Sequence, residues 1–409
     1  MVSSATIKNT VDCLTSGRWA ISGPRGETVG REQIFADEFA NFIGTRYCVP
    51  MTNCTSSMVA AFEALNIGVG DEVIIPGVTW VASATSVMAV NAFPVIVDID
   101  PKTLCIDPAA IRAAIGPRTR AISIVHLYNS VCDLDTIISL CRSHGLALIE
   151  DCSHAHGAAW RGRRVGGWGD IGAFSMQQVK LLTSGEGGAA VTNNDDLYRR
   201  LYQLRSDGRS RVSTPKSGEM ELALVGEIMG SNFCMSEITA AVLSAQLLEL
   251  PSQNVYRAQN AERLTALLAN IPGVHLIEAL PQVSERTHYC YSFRIDRAAF
   301  NGADASTVSA ALRVLTGAPF QTIYPPLPQH PLFRPQTKAR FAAIPGLESL
   351  TKTRLPEAQR AYEEIVTLHH SALLAIPEKM DVLAEALAYI QEHPQELLRE
   401  TAEFLVNPL

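Results

Sequence analysis

The sequence is poor in charged and aromatic side chains, and it has no long apolar run. Charged residues make up 18% and aromatic residues 7% of the 409 residues, whereas hydrophobic residues make up 47%. So high an apolar content excludes an intrinsically disordered chain. No uninterrupted apolar stretch reaches the ~20 residues of a membrane-spanning helix, so we expect no membrane partner.

Signals for export, nucleic-acid binding and metal clusters are also missing. The opening stretch MVSSATIKNT lacks the apolar core of a secretory signal peptide, so we expect a cytoplasmic protein. A net charge of −7 disfavours a nucleic-acid partner bound through its phosphates. None of the nine scattered cysteines forms a Cys-x-x-Cys pair, so we expect reduced thiols and no metal site.

Strand-like apolar segments alternate with helical patterns over the first part of the chain. The segments are EVIIP, PVIVDI, AISIVHL, LALIED, GAFSM and GGAAVT. This alternation predicts crossover units and a mostly parallel sheet. We also expect a helix over 136–144 opened by Asp135, and a second helix from Met235 to Leu250 that Pro251 ends.

A domain boundary is predicted near Pro251. Residues 1–250 would form an N-terminal segment and a large α/β domain, and residues 251–409 a smaller α+β domain. In the smaller domain HLIEAL and HYCYSFRI predict strands. The segment YPPLP, from Tyr324 to Pro328, excludes regular structure and begins a long loop, a kind of segment that is often functional. We expect helices over 256–270, 304–316 and 380–394.

One lysine, Lys180, lies between the strand-like segments IGAFSM and GGAAVT. A lysine in a loop walled by core loses solvent, which lowers its pKa, and a neutral amine attacks carbonyl carbons. The glycines after it allow a tight turn around a bound group. The alternative is an ordinary surface lysine in a turn.

Two further candidates follow the apolar run that ends in Asp151. Ligands of open α/β sheets bind outside the carboxyl ends of the strands, where Asp151 is predicted to lie. A carboxylate there can pair with the pyridinium nitrogen of pyridoxal phosphate, or it can cap the next helix. His154 either contacts the same ring or lies in the core.

Two other segments suggest where the rest of such a cofactor would bind. Hydroxyl residues such as Thr55 and Ser56 open a helical pattern, and a helix N-terminus attracts phosphate. Trp80 follows the strand-like VIIP, where its ring either lies flat on a heteroaromatic ring or packs in the core.

These segments, in their order, resemble the fold-type I, pyridoxal-phosphate-dependent sugar aminotransferases of the DegT/DnrJ/StrS family. The resemblance covers nearly the whole chain. It implies a mostly parallel, seven-stranded large domain and a smaller α+β C-terminal domain. The stretches that carry it are TNCTSSMVAAFEAL, IIPGVTWVASATSV, PVIVDIDPKTLCIDP, VHLYNSVCDLD, IEDCSHAHGA, GDIGAFSMQQVKLLTSGEGGAAVT and GSNFCMSEITAAVLSAQL.

The resemblance also implies roles for individual residues. Lys180 is similar to the lysine that holds the cofactor covalently, and Asp151 to the partner of its ring nitrogen. His154 stands where many relatives have Gln, against the ring or its phenolic oxygen. Asn232 resembles the residue that reaches the phosphate in the neighbouring subunit, which implies a homodimer with shared active sites. The implied phosphate ligands and stacking residue are Thr55, Ser56, Ser175 and Trp80.

One departure from the family pattern narrows the range of possible acceptor substrates. Many relatives have NYRM where this chain has NFCM, from Asn232 to Met235, and the missing arginine favours an acceptor without a diphosphate. The segments SMQQ-x-K and NFCMSE resemble the branch that acts on scyllo-inosose and 2-deoxy-scyllo-inosose. The resemblance implies ping-pong transfer of an amino group from L-glutamine or L-glutamate to a keto-cyclitol or keto-sugar, in aminocyclitol antibiotic or related secondary metabolism.

Alternatives remain open at this point. One is a lyase of the amino-hydroxybenzoate synthase type, another is a nucleotide-keto-sugar aminotransferase, and a third is a non-enzymatic regulator with the same fold. Candidate substrate contacts are Trp19, Ser22 and Tyr324. His369 and His370 are either substrate donors or a packing pair. Candidate cations for the carboxylate of the donor are Arg18, Arg205, Arg209 and Lys338.

Overall fold

The computed structural model describes residues 3–23, 29–212, 216–341 and 346–394. Across those ranges, no helix has both the length and the apolar character needed to cross a membrane. The helices are α1 (Ser4–Thr15), α2 (Arg31–Ile43), α3 (Cys54–Ala64), α4 (Ala82–Ala89), α5 (Pro108–Ala114), α6 (Leu134–His144), α7 (Asp195–Arg205), α8 (Glu237–Leu268), α9 (Ala305–Thr316), α10 (Leu347–Leu350), α11 (Pro356–Glu364) and α12 (Glu378–Glu392). The strands are β1 (Tyr47–Met51), β2 (Glu72–Pro76), β3 (Phe93–Val97), β4 (Thr119–Val125), β5 (Ala147–Asp151), β6 (Ala159–Trp160), β7 (Arg163–Arg164), β8 (Ile171–Ser175), β9 (Gly188–Thr192), β10 (Arg209–Arg211), β11 (Leu222–Leu224), β12 (Val274–Leu276), β13 (Val283–Glu285), β14 (Cys290–Ile295), β15 (Phe320–Thr322) and β16 (Ile365–His369).

The central sheet has seven strands in the order β1-β9-β8-β5-β4-β2-β3. The pairs β2–β3, β2–β4, β4–β5 and β5–β8 are parallel, whereas β9 is antiparallel to both of its neighbours. The predicted seven-stranded, mostly parallel sheet is therefore confirmed. Strands β8 and β9 are buried along their whole length, which explains why they read as continuous small or apolar runs.

Register brings the carboxyl ends of neighbouring strands together. Val125, the last residue of β4, pairs with Asp151, the last residue of β5, and Asp151 pairs with Ala173 of β8. Residues that follow these strands therefore meet at one edge of the sheet. This is the edge where ligands bind in open α/β folds.

A second, antiparallel sheet has the order β12-β14-β16-β15. Helix α9 packs on this sheet and α12 packs on α8 and α9, and together they form a separate hydrophobic core that begins, along the chain, at Ala261 within α8. The predicted strand HYCYSFRI corresponds to β14, and the predicted helices at 304–316 and 380–394 correspond to α9 and α12.

Three local predictions are wrong. Helix α8 does not end at Pro251 but continues to Leu268. Buried residues on both sides of Pro251 pack into the protein interior, and this packing offsets the one helical hydrogen bond that proline removes. The domain boundary near residue 250 stays a prediction. The cap of α6 is Asp133, not Asp135, whose carboxylate instead accepts from the Trp160 indole at 3.0 Å. The proline-rich segment contains a short 3-10 helix, Leu327–Gln329.

Candidate active site

Lys180 lies in a closed loop, residues 176–187, between β8 and β9, hereafter the Lys180 loop. The amide of Met176 donates to the carbonyl of Gly187 at 2.8 Å, and the amide of Gln178 donates to the carbonyl of Gly185 at 2.8 Å. Gly185 has φ +88°, a conformation that glycine adopts without strain. The loop thus has a backbone that is tied across its base.

The amine of Lys180 is desolvated. Its Nζ lies 4.4 Å from the centroid of the Tyr289 ring, and the residue is only partly exposed. Burial lowers the pKa of this amine, while the nearby Asp151, Cys54 and Cys290 act in the opposite direction. The lowered pKa agrees with the sequence-based expectation of a more nucleophilic amine.

Asp151 is nearly buried at the end of β5. Its Oδ1 accepts the amide of Ser153 at 3.0 Å, and residues 152–158 form turns. The alternative that Asp151 caps a following helix is therefore wrong. Burial raises the pKa of Cys54, the first residue of α3, and the negative charge of Asp151 adds to this rise, while the same charge partly opposes the lowering of the Lys180 pKa by burial. The carboxylate thus acts on the lysine and on the start of that helix.

A fully buried pair, Glu150 and His126, lies behind Asp151. Glu150 accepts the amides of Gly166, Trp168 and Gly169 at 2.9, 2.7 and 2.7 Å. His126 Nε2 lies 3.2 Å from Glu150, and the amide of His126 donates to the Asp151 carbonyl at 3.1 Å. These bonds outweigh burial and lower the pKa of Glu150.

The same pair is the candidate for a metal in the described ranges. Potential ligand atoms of His126, Glu150 and Cys152 lie within 4.8 Å of one another. However, His126 Nδ1 already accepts the amide of Cys132 at 3.2 Å, and the Glu150 oxygens accept the three amides. We therefore assign this group to holding the strand ends in place.

The N-terminus of α3 forms the candidate phosphate site. Its cap is Asn53, whose side chain accepts the amide of Ser56 at 2.9 Å. Cys54 and Thr55 occupy the first turn, where helical amides have no intrahelical partner. A Cβ on Gly188, the first residue of β9, would lie 2.3 Å from the Asn53 carbonyl carbon, so only glycine lets β9 approach α3 this closely.

Ser175 ends β8 close to this helix start. The residue is 8% exposed, and its hydroxyl accepts the amide of Gln177 at 3.4 Å. The phosphate-binding roles of Thr55, Ser56 and Ser175 stay predictions.

His154 is buried in a cluster of rings with Tyr128, Tyr289 and Tyr324, hereafter the aromatic cluster. It stacks on Tyr289 with centroids 3.9 Å apart and on Tyr128 with centroids 5.5 Å apart. The amide of Tyr128 donates to His154 Nδ1 at 3.3 Å, so Nε2 carries the proton. Burial and the Lys180 charge keep the pKa of His154 well below its usual range.

Trp80 borders the aromatic cluster and is 46% exposed, so the alternative that it is a core residue is wrong. Its ring centroid lies 5.7 Å from that of Tyr324 and 5.6 Å from that of His330. The amide of Tyr324 donates to the hydroxyl of Tyr128 at 2.9 Å. The proline-rich loop therefore reaches the site through Tyr324 and His330.

Three other predicted site residues are exposed, although the segment after Asn232 pairs with the chain just before α3, where the amide of Thr52 donates to the carbonyl of Phe233 at 2.9 Å. Trp19 is 54% exposed and its indole donates to the carbonyl of Leu14 at 3.3 Å. Ser22 is exposed. Asn232 is also exposed, and its side chain accepts the amide of Cys234 at 3.3 Å. The structure gives none of them a contact with Lys180 or Asp151, and their roles stay predictions.

Three of the four candidate cations for the donor carboxylate already have carboxylate partners. Arg18 bonds Glu221 at 2.6 and 2.7 Å, Arg205 pairs with Glu32 in the interior at 2.5 Å, and Arg209 contacts Asp207 at 3.0 Å. Each guanidinium is thus largely neutralised.

Sequence reasoning missed four neighbours of the site. Tyr289 belongs to a predicted strand and His330 to a loop without periodicity, so neither position indicates a role in the site. Tyr128 and Glu150 stand inside segments that were noticed for other reasons. The one available signal was position, because Tyr128 and Glu150 both lie at the carboxyl ends of predicted parallel strands.

A desolvated lysine beside a strand-end carboxylate, at the edge of a mostly parallel sheet, is a site suited to amine chemistry. The model of the DegT/DnrJ/EryC1/StrS aminotransferase family matches residues 2–387. The chain belongs to this family, and it is an aminotransferase.

Named relatives and solved structures are similar over most of the chain. An L-glutamine:2-deoxy-scyllo-inosose aminotransferase from Streptoalloteichus tenebrarius is 48% identical over 388 residues, covering 94% of this chain and 91% of that protein. An L-glutamine:scyllo-inosose aminotransferase from Streptomyces griseus is 44% identical over 397 residues, covering 96% and 93%.

Among solved structures, 3-amino-5-hydroxybenzoic acid synthase matches with a TM-score of 0.81 and 29% identity, covering 96% of this chain and 97% of that one. DesV from S. venezuelae, solved in complex with a ketimine intermediate, matches with a TM-score of 0.78 and 31% identity, covering 95% and 94%. These likenesses confirm the fold class that the sequence predicted.

Proposed function

We propose that this aminotransferase uses pyridoxal phosphate to move an amino group from L-glutamine to a keto-cyclitol of the scyllo-inosose type. The observation that carries the proposal is the Lys180 amine, whose pKa is lowered by burial, beside the Asp151 carboxylate at the strand ends. Support for the substrates comes from the names of relatives that are 44% to 48% identical.

The residues present fit this cofactor. The first-turn amides of α3 and the hydroxyls of Thr55 and Ser56 suit its phosphate. The exposed face of Trp80 suits its ring, and Asp151 keeps Oδ2 free of hydrogen bonds to the described residues while Oδ1 holds Ser153. When bound, pyridoxal phosphate supplies an aldehyde for the amine and a ring that withdraws electrons.

Lys180 performs the proton transfers in this proposal. Its amine would hold the cofactor covalently at rest, and the free Nζ would act as the general base that takes the α-proton of the amino-acid donor. The same atom then returns the proton as a general acid. A lowered pKa helps because it raises the fraction of neutral amine near pH 7.

Asp151 and His154 set the charge of the ring. The Asp151 carboxylate would pair with the ring nitrogen and favour its protonated form. His154 is neutral, with its proton on Nε2, and therefore offers one N–H donor to an oxygen of the ring. Two half-reactions through one site predict ping-pong kinetics.

The acceptor would bind against Tyr324 and His330, whose rings lie beside Trp80. Their rings form a mixed aromatic and polar wall that suits the flat carbon face and the hydroxyls of a cyclitol. This chain has Cys234 where many relatives have arginine, so that position supplies no fixed cation, which suits an acceptor without a diphosphate. In this proposal the protein is a homodimer, in which Asn232 would reach the cofactor phosphate of the partner subunit. The aminated product would enter aminocyclitol antibiotic biosynthesis.

A second candidate is an aromatising lyase of the amino-hydroxybenzoate type, favoured by the match to 3-amino-5-hydroxybenzoic acid synthase. The deciding experiment offers the purified protein scyllo-inosose, 2-deoxy-scyllo-inosose, nucleotide keto-sugars and cyclic enones, each with glutamine or glutamate. We expect amination of the keto-cyclitols with glutamine. Aromatisation of an enone, or amination of a nucleotide sugar alone, would contradict the proposal.

A further inference from the structure

Two adjacent histidines, His369 and His370, hereafter the histidine pair, converge on one backbone atom of the Lys180 loop. They stand at the end of β16, in the second sheet. His369 Nε2 lies 3.3 Å and His370 Nε2 lies 3.0 Å from the carbonyl oxygen of Val179, the residue before Lys180. One carbonyl with two lone pairs thus accepts from two imidazoles.

The hydrogen bonds define the tautomer of His369. Its Nδ1 lies 2.9 Å from the Ser371 hydroxyl and 3.4 Å from the Ser371 amide. Because an amide can only donate, Nδ1 is the acceptor and Nε2 carries the proton. Val179 has only its carbonyl oxygen to offer here, so His370 also donates from Nε2. Burial lowers the pKa of both imidazoles, that of His370 to about 3, so both are neutral.

The same pair also contacts the ring beneath the catalytic amine. The amide of His370 donates to the carbonyl of Tyr289 at 3.1 Å. The ring of His369 meets the Tyr289 ring edge-on, with centroids 5.8 Å apart. Since Lys180 Nζ lies over that ring, the histidine pair contacts both the backbone and the ring that flank the amine.

The buried side chains of Leu181 and Leu182 anchor the Lys180 loop in the main core after Lys180, whereas the hydrogen bonds just before it are local. The amide of Val179 is held by Gln177 Oε1 at 2.9 Å, and the amide of Lys180 by the carbonyl of Gln177 at 2.9 Å. Both bonds are local to the loop, so they shape it without fixing its place in the protein. The Val179 carbonyl, by contrast, joins the loop to an element almost two hundred residues further along the chain.

We propose that His369 and His370 are positioning residues that hold the backbone of the Lys180 loop still while the lysine side chain moves. This inference rests on the proposed function, in which the amine must leave a covalent bond and return to the same place as a base. A displacement of about 1 Å at such a group can cost ~10²-fold in rate. Hence the two N–H donors act through Lys180 without touching the substrate.

The test compares variants that keep or lose the donor. Gln places an amide N–H near the position of imidazole Nε2, whereas Leu has none, so we compare His369→Gln with His369→Leu and His370→Gln with His370→Leu. In cofactor-free protein, backbone hydrogen exchange of residues 176–187 should quicken in the Leu variants and stay protected in the Gln variants. His393→Leu, at the exposed end of α12, is the matched control.

In the loaded enzyme, the Leu variants should lower kcat about tenfold or more with little change in KM, and the Gln variants should recover most of that loss. If His370→Leu does not fold, the more exposed His369→Leu carries the comparison. Unchanged exchange in the Leu variants, or Gln variants that behave like the Leu variants, would overturn the positioning role. Turnover in Lys180→Ala would instead overturn the proposed function, so the two failures are distinguishable.

Discussion

The Lys180 loop meets two different surroundings. On one side β9 touches the start of α3 backbone to backbone, through the bare Cα of Gly188, and Asp151 is fixed by strand register. On the other side the contacts are made by side chains, namely the histidine pair and the ring of Tyr289. On the first side, any side chain larger than that of Gly188 would clash with the backbone. On the second side, single substitutions can remove one hydrogen bond at a time.

This difference separates two tasks. Backbone contacts at the sheet edge place the amine, the carboxylate and the helix N-terminus, which any reaction of this class needs. Side chains of the second sheet and of the proline-rich loop decide how steadily the amine is held and what packs above it. Substitutions should therefore be most damaging on the sheet side and graded on the other.

The largest effect is expected from Lys180→Ala. Removing both the attachment point and the general base should lower turnover by more than ~10⁴-fold. Borohydride reduction followed by mass spectrometry should find no cofactor bound to residue 180. Lys379→Ala, on the exposed surface of α12, serves as the control. Retained covalent attachment would remove Lys180 from its role.

Asp151→Asn should cost roughly 10²-fold or more in kcat, because an amide keeps the acceptor for the Ser153 amide but loses the charge. The carboxylate raises the pKa of Lys180, so its loss should lower that pKa further. Labelling of the amine in cofactor-free protein, followed against pH, should shift to lower pH. Full activity, or an unshifted labelling curve, would refute the assignment. Asp196→Asn, which changes an exposed carboxylate, is the control and should change neither measurement.

Gly188→Ala tests the backbone contact itself. The added Cβ would lie 2.3 Å from the Asn53 carbonyl carbon and 2.5 Å from the Cys54 nitrogen, and neither backbone can yield easily. We expect a loss of about 1–3 kcal/mol in the free energy of unfolding, measured in urea, together with weaker cofactor binding. Gly23→Ala, where nothing lies within 4 Å of the new Cβ, should be near neutral. Equal stability of the two variants would contradict the close-approach argument.

The effect that we expect to be smallest at neutral pH concerns acid sensitivity. Burial lowers the pKa of His156 to about 3, and the positive charge of Lys180 acts in the same direction. The unfolded chain takes up a proton at pH about 6.5, so stability is present above that pH and falls as pH falls. His156→Leu should reduce this slope by about 1.4 kcal/mol per pH unit between about pH 6 and pH 4, while His393→Leu should not. An unchanged slope in urea unfolding would contradict it.

The sheet side of the site was predictable because its signals are local. Buried parallel strands are continuous apolar runs, so β5 and β8 place Asp151 and Lys180 without any knowledge of distant contacts. Even here β1 was missed, since Pro50 argues against a strand. The structure explains this, because β1 is an edge strand of the sheet.

The side-chain half was less predictable because its members come from distant segments. Tyr128, Tyr289 and Tyr324 meet only through the arrangement of both sheets, and nothing in the spacing of the sequence brings them together. The choice between substrate donors and a packing pair for His369 and His370 was also open, since their shared partner is a backbone carbonyl. Pro251 misled for a related reason, because tertiary packing outweighs a local stop signal.

Helix α8 links the stability of the two hydrophobic cores. It is one rod of 32 residues whose buried faces join the core of the central sheet, up to Leu250, and the core of the second sheet, from Ala261. Cleavage of the chain at residue 250 would divide this helix, and each fragment would lose part of its hydrophobic core. Neither half should therefore be recoverable alone as a stable piece, because each would expose apolar surface that the intact helix buries.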